Sequence, residues 1–145
     1  MIIADFKDFP RAGRIIGFDW GARRTGVAVS DDSRAFTFVR SPIVGGNMAE
    51  QMAEIAKAEK VVGIVLGLPL RTDGSDSETT QIVRDVAKEI TKHTNLPICF
   101  IDEALTSSAA AEQGGYHSIK EVKTKLDSES ARIILENAIA LMGRM

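Results

Sequence analysis

Hydrophobic positions along this chain follow two rhythms, and the change falls near residue 46. Upstream, apolar residues come in short runs broken by turn chemistry. Arg14-Ile15-Ile16-Gly17-Phe18-Asp19 is a compact apolar run closed by a carboxylate, which predicts a central strand. Gly26-Val27-Ala28-Val29-Ser30 follows a glycine-punctuated turn from Gly21 to Arg24, so these two strands are expected as an antiparallel hairpin. Asp31-Asp32-Ser33 turns the chain again. Ala35-Phe36-Thr37-Phe38-Val39 then alternates as a third, partly exposed strand does. Residues 1–13, with Pro10 and Gly13, show no clear period and read as a short arm leading into the fold.

Downstream, helical spacing alternates with compact β-branched runs. Asn47 and Glu50 have the spacing of a capping box, and Met48, Met52, Ile55 and Ala56 mark one helical face behind it. Val61 to Leu66 predicts a buried strand running into Gly67-Leu68-Pro69-Leu70. Ser75 and Glu78 repeat the capping spacing ahead of a helix lined by Ile82, Val83, Val86 and Ile90. Pro97 to Ile101 predicts another buried strand, ending at Asp102-Glu103. Thr106 or Ser107 can cap a short alanine-rich helix that stops at Gly114-Gly115, and the polar, basic residues 114–126 are expected as a mobile loop with room for one helical turn. A last helix from about Ser128 carries the stripe Ala131, Ile134, Leu135, Ala138 and Met142. The order β-β-β-α-β-α-β-α-loop-α implies a mixed α/β sheet covered by helices, in one domain over residues 1–145.

Composition narrows the class without choosing a function. The 145 residues are 44% hydrophobic and 26% charged, an ordinary soluble globule. The net charge of −2 excludes a uniformly basic nucleic-acid coat but not an enzyme with local basic patches. A single cysteine, Cys99, forbids an internal disulfide and argues against a cysteine-based zinc site. The longest apolar run, Val61 to Leu68, is far short of the ~20 residues of a membrane helix. Asp5, Lys7 and Asp8 interrupt the start of the chain, so no signal-peptide hydrophobic region is expected. The expectation is a cytoplasmic protein with no membrane partner.

Three carboxylates occupy informative places. Asp19 ends the first strand and Glu103 follows the last, and ligands of open α/β sheets gather at the carboxyl ends of parallel strands. Asp127 lies one helical turn before Ala131 on the apolar line of the last helix, so it is expected to point inward at the start of that helix. An inward carboxylate needs a partner, because a desolvated charge is costly unless paired or metal-bound. A divalent cation, Mg2+ or Mn2+ as one or two ions, would satisfy all three together and could activate water against a phosphodiester. Each acid also has a plain structural role open to it: Asp19 as turn initiator, Asp127 with Ser128 as helix N-cap, Glu103 as a solvated loop acid.

The motifs together resemble one family. Gly17-Phe18-Asp19-Trp20-Gly21 with Arg24, Gly26-Val27-Ala28-Val29-Ser30-Asp31, and Val62-Gly63-Ile64-Val65-Leu66-Gly67-Leu68-Pro69-Leu70 with Asp73-Gly74-Ser75 occur in order. They are followed by Asp102-Glu103-Ala104-Leu105-Thr106-Ser107, Glu112-Gln113-Gly114-Gly115-Tyr116, and Asp127-Ser128-Glu129-Ser130-Ala131 with Ile134-Leu135. This pattern, from Arg14 to about Ala140, resembles the YqgF family of Holliday junction resolvases and nucleases that mature the 16S ribosomal RNA precursor. The resemblance implies an RNase H-like fold of RuvC type, a five-stranded mixed sheet of order 3-2-1-4-5 with strand 2 antiparallel and helices on both faces. It also implies a metal-dependent phosphodiesterase site at Asp19, Glu103 and Asp127. Ala104 stands where the family usually has Arg, and Arg71 where Asn is common.

Charge is uneven, +2 over residues 1–46, −5 over 47–113 and +1 over 114–145. Arg23, Arg24, Arg71, Lys120, Lys123 and Lys125 belong to expected loops beside the site and are candidates for phosphate contacts, with Thr106 beside them. Tyr116 is the better candidate for stacking on a base, while Trp20 is expected to pack in the core. Cys99 is expected simply to pack. The leading expectation is a nuclease acting on precursor rRNA or branched DNA, as a monomer or a homodimer. Two alternatives remain open at this point: half of an actin-like ATPase or sugar kinase, suggested by Gly-x-Asp-x-Gly before a hairpin, and a non-catalytic module that binds nucleic acid or ribosome precursor.

Overall fold

The computed structural model describes residues 1–103 and 119–143, and of residues 119–127 the backbone alone. Its strands are β1 (Ile2–Ile3), β2 (Ile15–Asp19), β3 (Arg24–Ser30), β4 (Thr37–Val44), β5 (Gly63–Leu68) and β6 (Ile98–Asp102), and its helices α1 (Met48–Ala58), α2 (Glu78–Ile90) and α3 (Ile119–Gly143). The sheet order is β1-β6-β5-β2-β3-β4. From β4 to β6 this is the expected five-strand arrangement, with β3 antiparallel to both neighbours and β2, β5 and β6 parallel.

The sixth strand corrects the reading of residues 1–13 as an arm. Ile2 and Ile3 pair in parallel with Ile98 and Cys99, and a 3-10 turn at Phe6–Asp8, capped by the Asp5 carboxylate, brings Phe6 and Phe9 into the core. Two apolar residues on each side of a turn are too short a pattern to show a period, yet long enough to extend a sheet edge.

Alternation splits the core in two. Ile16, Phe18, Val27, Val29, Ile64 and Leu66 point to one face, where Met52, Ala53 and Ala56 of α1 and Ala87 and Ile90 of α2 cover them. Ile15, Ala28, Val65 and Cys99 point to the other, against Ala131, Ile134, Leu135 and Ala138 of α3. Helices therefore cover both faces, as expected of a sheet whose parallel strands are buried on both sides. Cys99 packs as expected, and burial pushes its thiol up to about 11.

Several local expectations shift. The third strand runs on to Val44, because a bulge sets Ser41 and Pro42 against Gly26 on an edge that tolerates proline. Asn47 precedes α1 with a left-handed φ of 57° and makes no side-chain cap; the Gln51 amide instead donates to the Val44 and Gly46 carbonyls. The capping box of α2 is Ser77 with Thr80, two residues beyond the expected pair. Residues 119–126 open α3 rather than forming a loop. Ser118 and Glu121 have capping spacing and no glycine or proline follows before Gly143, so polarity alone was a poor sign of a loop there. Among the described residues no helix is long and apolar enough to cross a membrane.

Candidate active site

Three parallel strands end together, β2 at Asp19, β5 at Leu68 and β6 at Asp102. Asp19 shares its face with Ile15 and Gly17, the face that α3 covers. Gly17 is a point of close approach: a Cβ there would sit 3.0 Å from Leu135 Cβ and 3.1 Å from the Ala131 carbonyl oxygen. Glu103 continues β6 by one step, its backbone N–H donating to the Leu68 carbonyl at 3.3 Å. Its side chain lies over Gly67, where a Cβ would meet Glu103 Oε2 at 2.7 Å.

The result is a carboxyl pair. Burial, the Asp19 charge, a hydrogen bond with Asp19 and the Asp102 charge, in that order, push the Glu103 carboxyl up from its ordinary 4.5 to about 9. At neutral pH the neutral Glu103 therefore donates to the Asp19 carboxylate, and the two share one proton. Such a pair is an all-oxygen donor set of the kind hard divalent cations take, so these residues fit Mg2+ or Mn2+.

Asp127 lies inside α3, two turns after Ile119, and not at its start. That removes the N-cap reading and also corrects the implied carboxylate opening the last helix. Its side chain lies outside the described residues, but its backbone register is informative. The helix runs antiparallel to β2, since Ala131 and Leu135 cross Gly17 while Met142 reaches Arg34, which binds Gly13. Four helical residues rise about 6 Å, nearly the ~6.6 Å of two strand residues. Gly17 faces the span from Ala131 to Leu135, so one turn back sets the span 127–131 at the height of Asp19, with position 127 at its N-terminal end. Among the described residues no cluster of three or more His, Cys, Asp or Glu side chains is close enough to hold a metal; the described part of the site is the pair.

The other candidates divide. Arg23 is exposed on the β2–β3 hairpin and Arg24 opens β3, both at the same end of the sheet as Asp19. Arg71 is exposed in the turn after β5, where its N–H donates to the Ser75 carbonyl. Lys120, Lys123 and Lys125 ride on the first turns of α3, with side chains outside the description. Ala104, Thr106, Tyr116 and the alanine-rich helix expected up to Gly114-Gly115 also fall outside the described residues. Trp20 packs against the α1–α2 core, not toward the acids, as expected. Sequence reasoning missed Gly67 and the charge of Asp102; a glycine inside a β-branched run is the signal that marks a close approach.

The family model RuvX, described as Holliday junction resolvase, matches residues 13–140. The chain belongs to the RuvX family. Its relatives include a protein of Maridesulfovibrio salexigens named "Putative pre-16S rRNA nuclease", 38% identical over 132 residues, which are 88% of this chain and 98% of that one. A protein of the same name from Acidiphilium cryptum is 33% identical over 139 residues, 92% and 88% of the two chains. Among solved structures, Thermus thermophilus RuvC aligns with a TM-score of 0.52 at 10% identity, covering 90% of this chain and 96% of that chain. A Fowlpox virus resolvase in complex with Holliday junction DNA gives 0.52 at 11% identity, covering 90% and 97%. These two likenesses establish the RNase H-like fold of this RuvX chain.

Proposed function

We propose that the chain is a divalent-cation-dependent endonuclease that hydrolyses phosphodiester bonds in structured nucleic acid, with the 5′ end of the 16S rRNA precursor as its substrate. The observation that carries this reading is the half-buried pairing of Asp19 with Glu103 at the carboxyl end of the parallel strands. The name borne by its relatives supports the substrate. In this reading Asp19, Glu103 and Asp127 hold Mg2+ or Mn2+. The bound ion supplies a polarised phosphoryl oxygen and a water acidic enough to attack at neutral pH. Asp19 and Glu103 would place that charge at the carboxyl end of the parallel strands. Arg23, Arg24 and Arg71 grip flanking phosphates in this reading, and Lys120, Lys123, Lys125, Thr106 and Tyr116, outside the described side chains, are the further candidates for substrate contact.

The description of the family and the Holliday junction complexes among its structural neighbours favour a second reading, resolution of branched DNA. Cleavage assays with a precursor-rRNA 5′ leader and a four-way DNA junction, in Mg2+, Mn2+, Ca2+ and chelator, separate the two. The expected result is cation-dependent cutting of the RNA with the junction intact. Preferential cutting of the junction would replace the substrate, and an inert protein on both would end the nuclease reading.

The phosphate contacts carry their own test. With cleavage blocked by chelator, Arg23→Ala/Arg24→Ala is expected to weaken RNA binding and to lower the slope of log affinity against log salt by about 1–2. An unchanged slope would remove both arginines from the phosphate contacts.

A further inference from the structure

The two acids of the pair stand on strands that do not touch. Asp19 ends β2 and Glu103 follows β6, and β5 runs between them. Neighbouring strands are spaced by about 4.8 Å, so the two backbones lie nearly ~10 Å apart. Their carboxyls meet only if one side chain crosses over the middle strand on the α3 face. Strand register identifies the crossing point. Ile101 pairs with Gly67, and Phe18 pairs with Leu66, so Gly67 lies on the rung between Asp19 and the end of β6. The α3 face of β5 is that of Val65, two residues earlier, and position 67 shares it.

At that point the strand has no side chain. A Cβ on Gly67 would stand 2.7 Å from Glu103 Oε2, 3.2 Å from Glu103 Cδ and 2.5 Å from Ile134 Cδ1. Carbon contacts below 3.0 Å are not tolerated without movement, and the occupants here are a carboxyl held by Asp19 and a core isoleucine. The backbone gives no reason for the glycine: it is an ordinary β5 residue, not one of the positive-φ glycines of the fold.

We infer that Gly67 is a positioning residue of the site: its missing side chain is the passage through which Glu103 crosses β5 to reach Asp19. The inference rests on the nuclease reading for its consequence, since a Glu103 pushed off Asp19 no longer helps to hold a cation. It does not rest on that reading for its geometry.

The test separates the two clashes. Ile134→Val removes Cδ1 and serves as the background; Gly67→Ala is added to it. Mn2+ affinity is measured by isothermal titration calorimetry. Relative to Ile134→Val alone, the double variant is expected to melt at a similar temperature, to bind Mn2+ at least tenfold more weakly, and to show in its crystal structure a Glu103 carboxyl out of reach of Asp19. Unchanged Mn2+ affinity with the carboxyl pair intact would overturn the inference. If the double variant does not fold, Glu103→Ala is added. Recovery of folding upholds the steric conflict with Glu103, and continued failure assigns Gly67 to packing alone. A parent protein that neither binds Mn2+ nor cleaves nucleic acid would sink the nuclease reading, while the Glu103 position in the variant's crystal structure still decides the role of Gly67.

Discussion

Asp19→Asn is expected to lower cation-dependent cleavage by about three orders of magnitude, equivalent to ~4 kcal/mol of lost transition-state stabilisation. Asparagine keeps the volume and one carbonyl oxygen of aspartate, so the packing of β2 beneath α3 is preserved. What disappears is the negative charge facing Glu103, one of the contributions that raise the Glu103 carboxyl. The variant should therefore fold as well as the parent, and its Glu103 should titrate lower. Single-turnover cleavage alongside thermal melting measures both. A folded Asp19→Asn protein that still cuts at the parent rate would remove Asp19 from the chemistry and with it the central element of the proposed site.

Glu103→Gln is expected to separate activity from stability: the protein loses activity and becomes more stable above neutral pH in the absence of divalent cation. The folded Glu103 keeps its proton up to about pH 9, whereas an unfolded glutamate releases it near 4.5. Between those values the folded state holds a proton that the unfolded state has lost, so raising the pH favours unfolding by up to 1.36 kcal/mol per unit. Stability from this group is complete below the lower value and falls away as pH climbs toward the upper one. Three units above its ordinary value, near pH 7.5, the penalty amounts to about 4 kcal/mol. Glutamine carries no such proton and can still donate to Asp19. Its melting temperature should exceed the parent's by roughly 10 °C near pH 7.5 and match it near pH 4.5. Equal pH dependence of the two proteins would show that Glu103 is not held neutral by burial and Asp19. A site that stores such a cost against stability is a common signature of function.

Much of the architecture was legible along the chain because its strands and helices differ in period. The runs at Ile15, Val27 and Ile64 and the helical stripe through Ala131, Ile134, Leu135 and Ala138 marked their elements and the faces they bury. Boundaries were less legible where local chemistry offered competing choices. Ser75 and Ser77 both stand near the start of α2, and only Ser77 places its hydroxyl on the Thr80 N–H. Residues 119–126 looked like a loop by polarity, yet polar residues with straight side chains extend a helix already anchored by its downstream stripe. Ile2 and Ile3 gave no period at all, and they became a strand because β6 offered an unpaired edge.

The chain by itself determined the alternation that sends Ile15, Gly17 and Asp19 to one face of β2, and the motif order that announced the family. Those are properties of near neighbours, set by side-chain periods of two and 3.6 residues. Only the tertiary structure decided that Asp19 and Glu103, on strands separated by a third, bring their carboxyls together across Gly67. Strand order and register bring together residues 84 positions apart, and burial then changes the acidity of one of them. No local pattern encodes either effect, because distance and desolvation exist only once the sheet is built and α3 has closed over it.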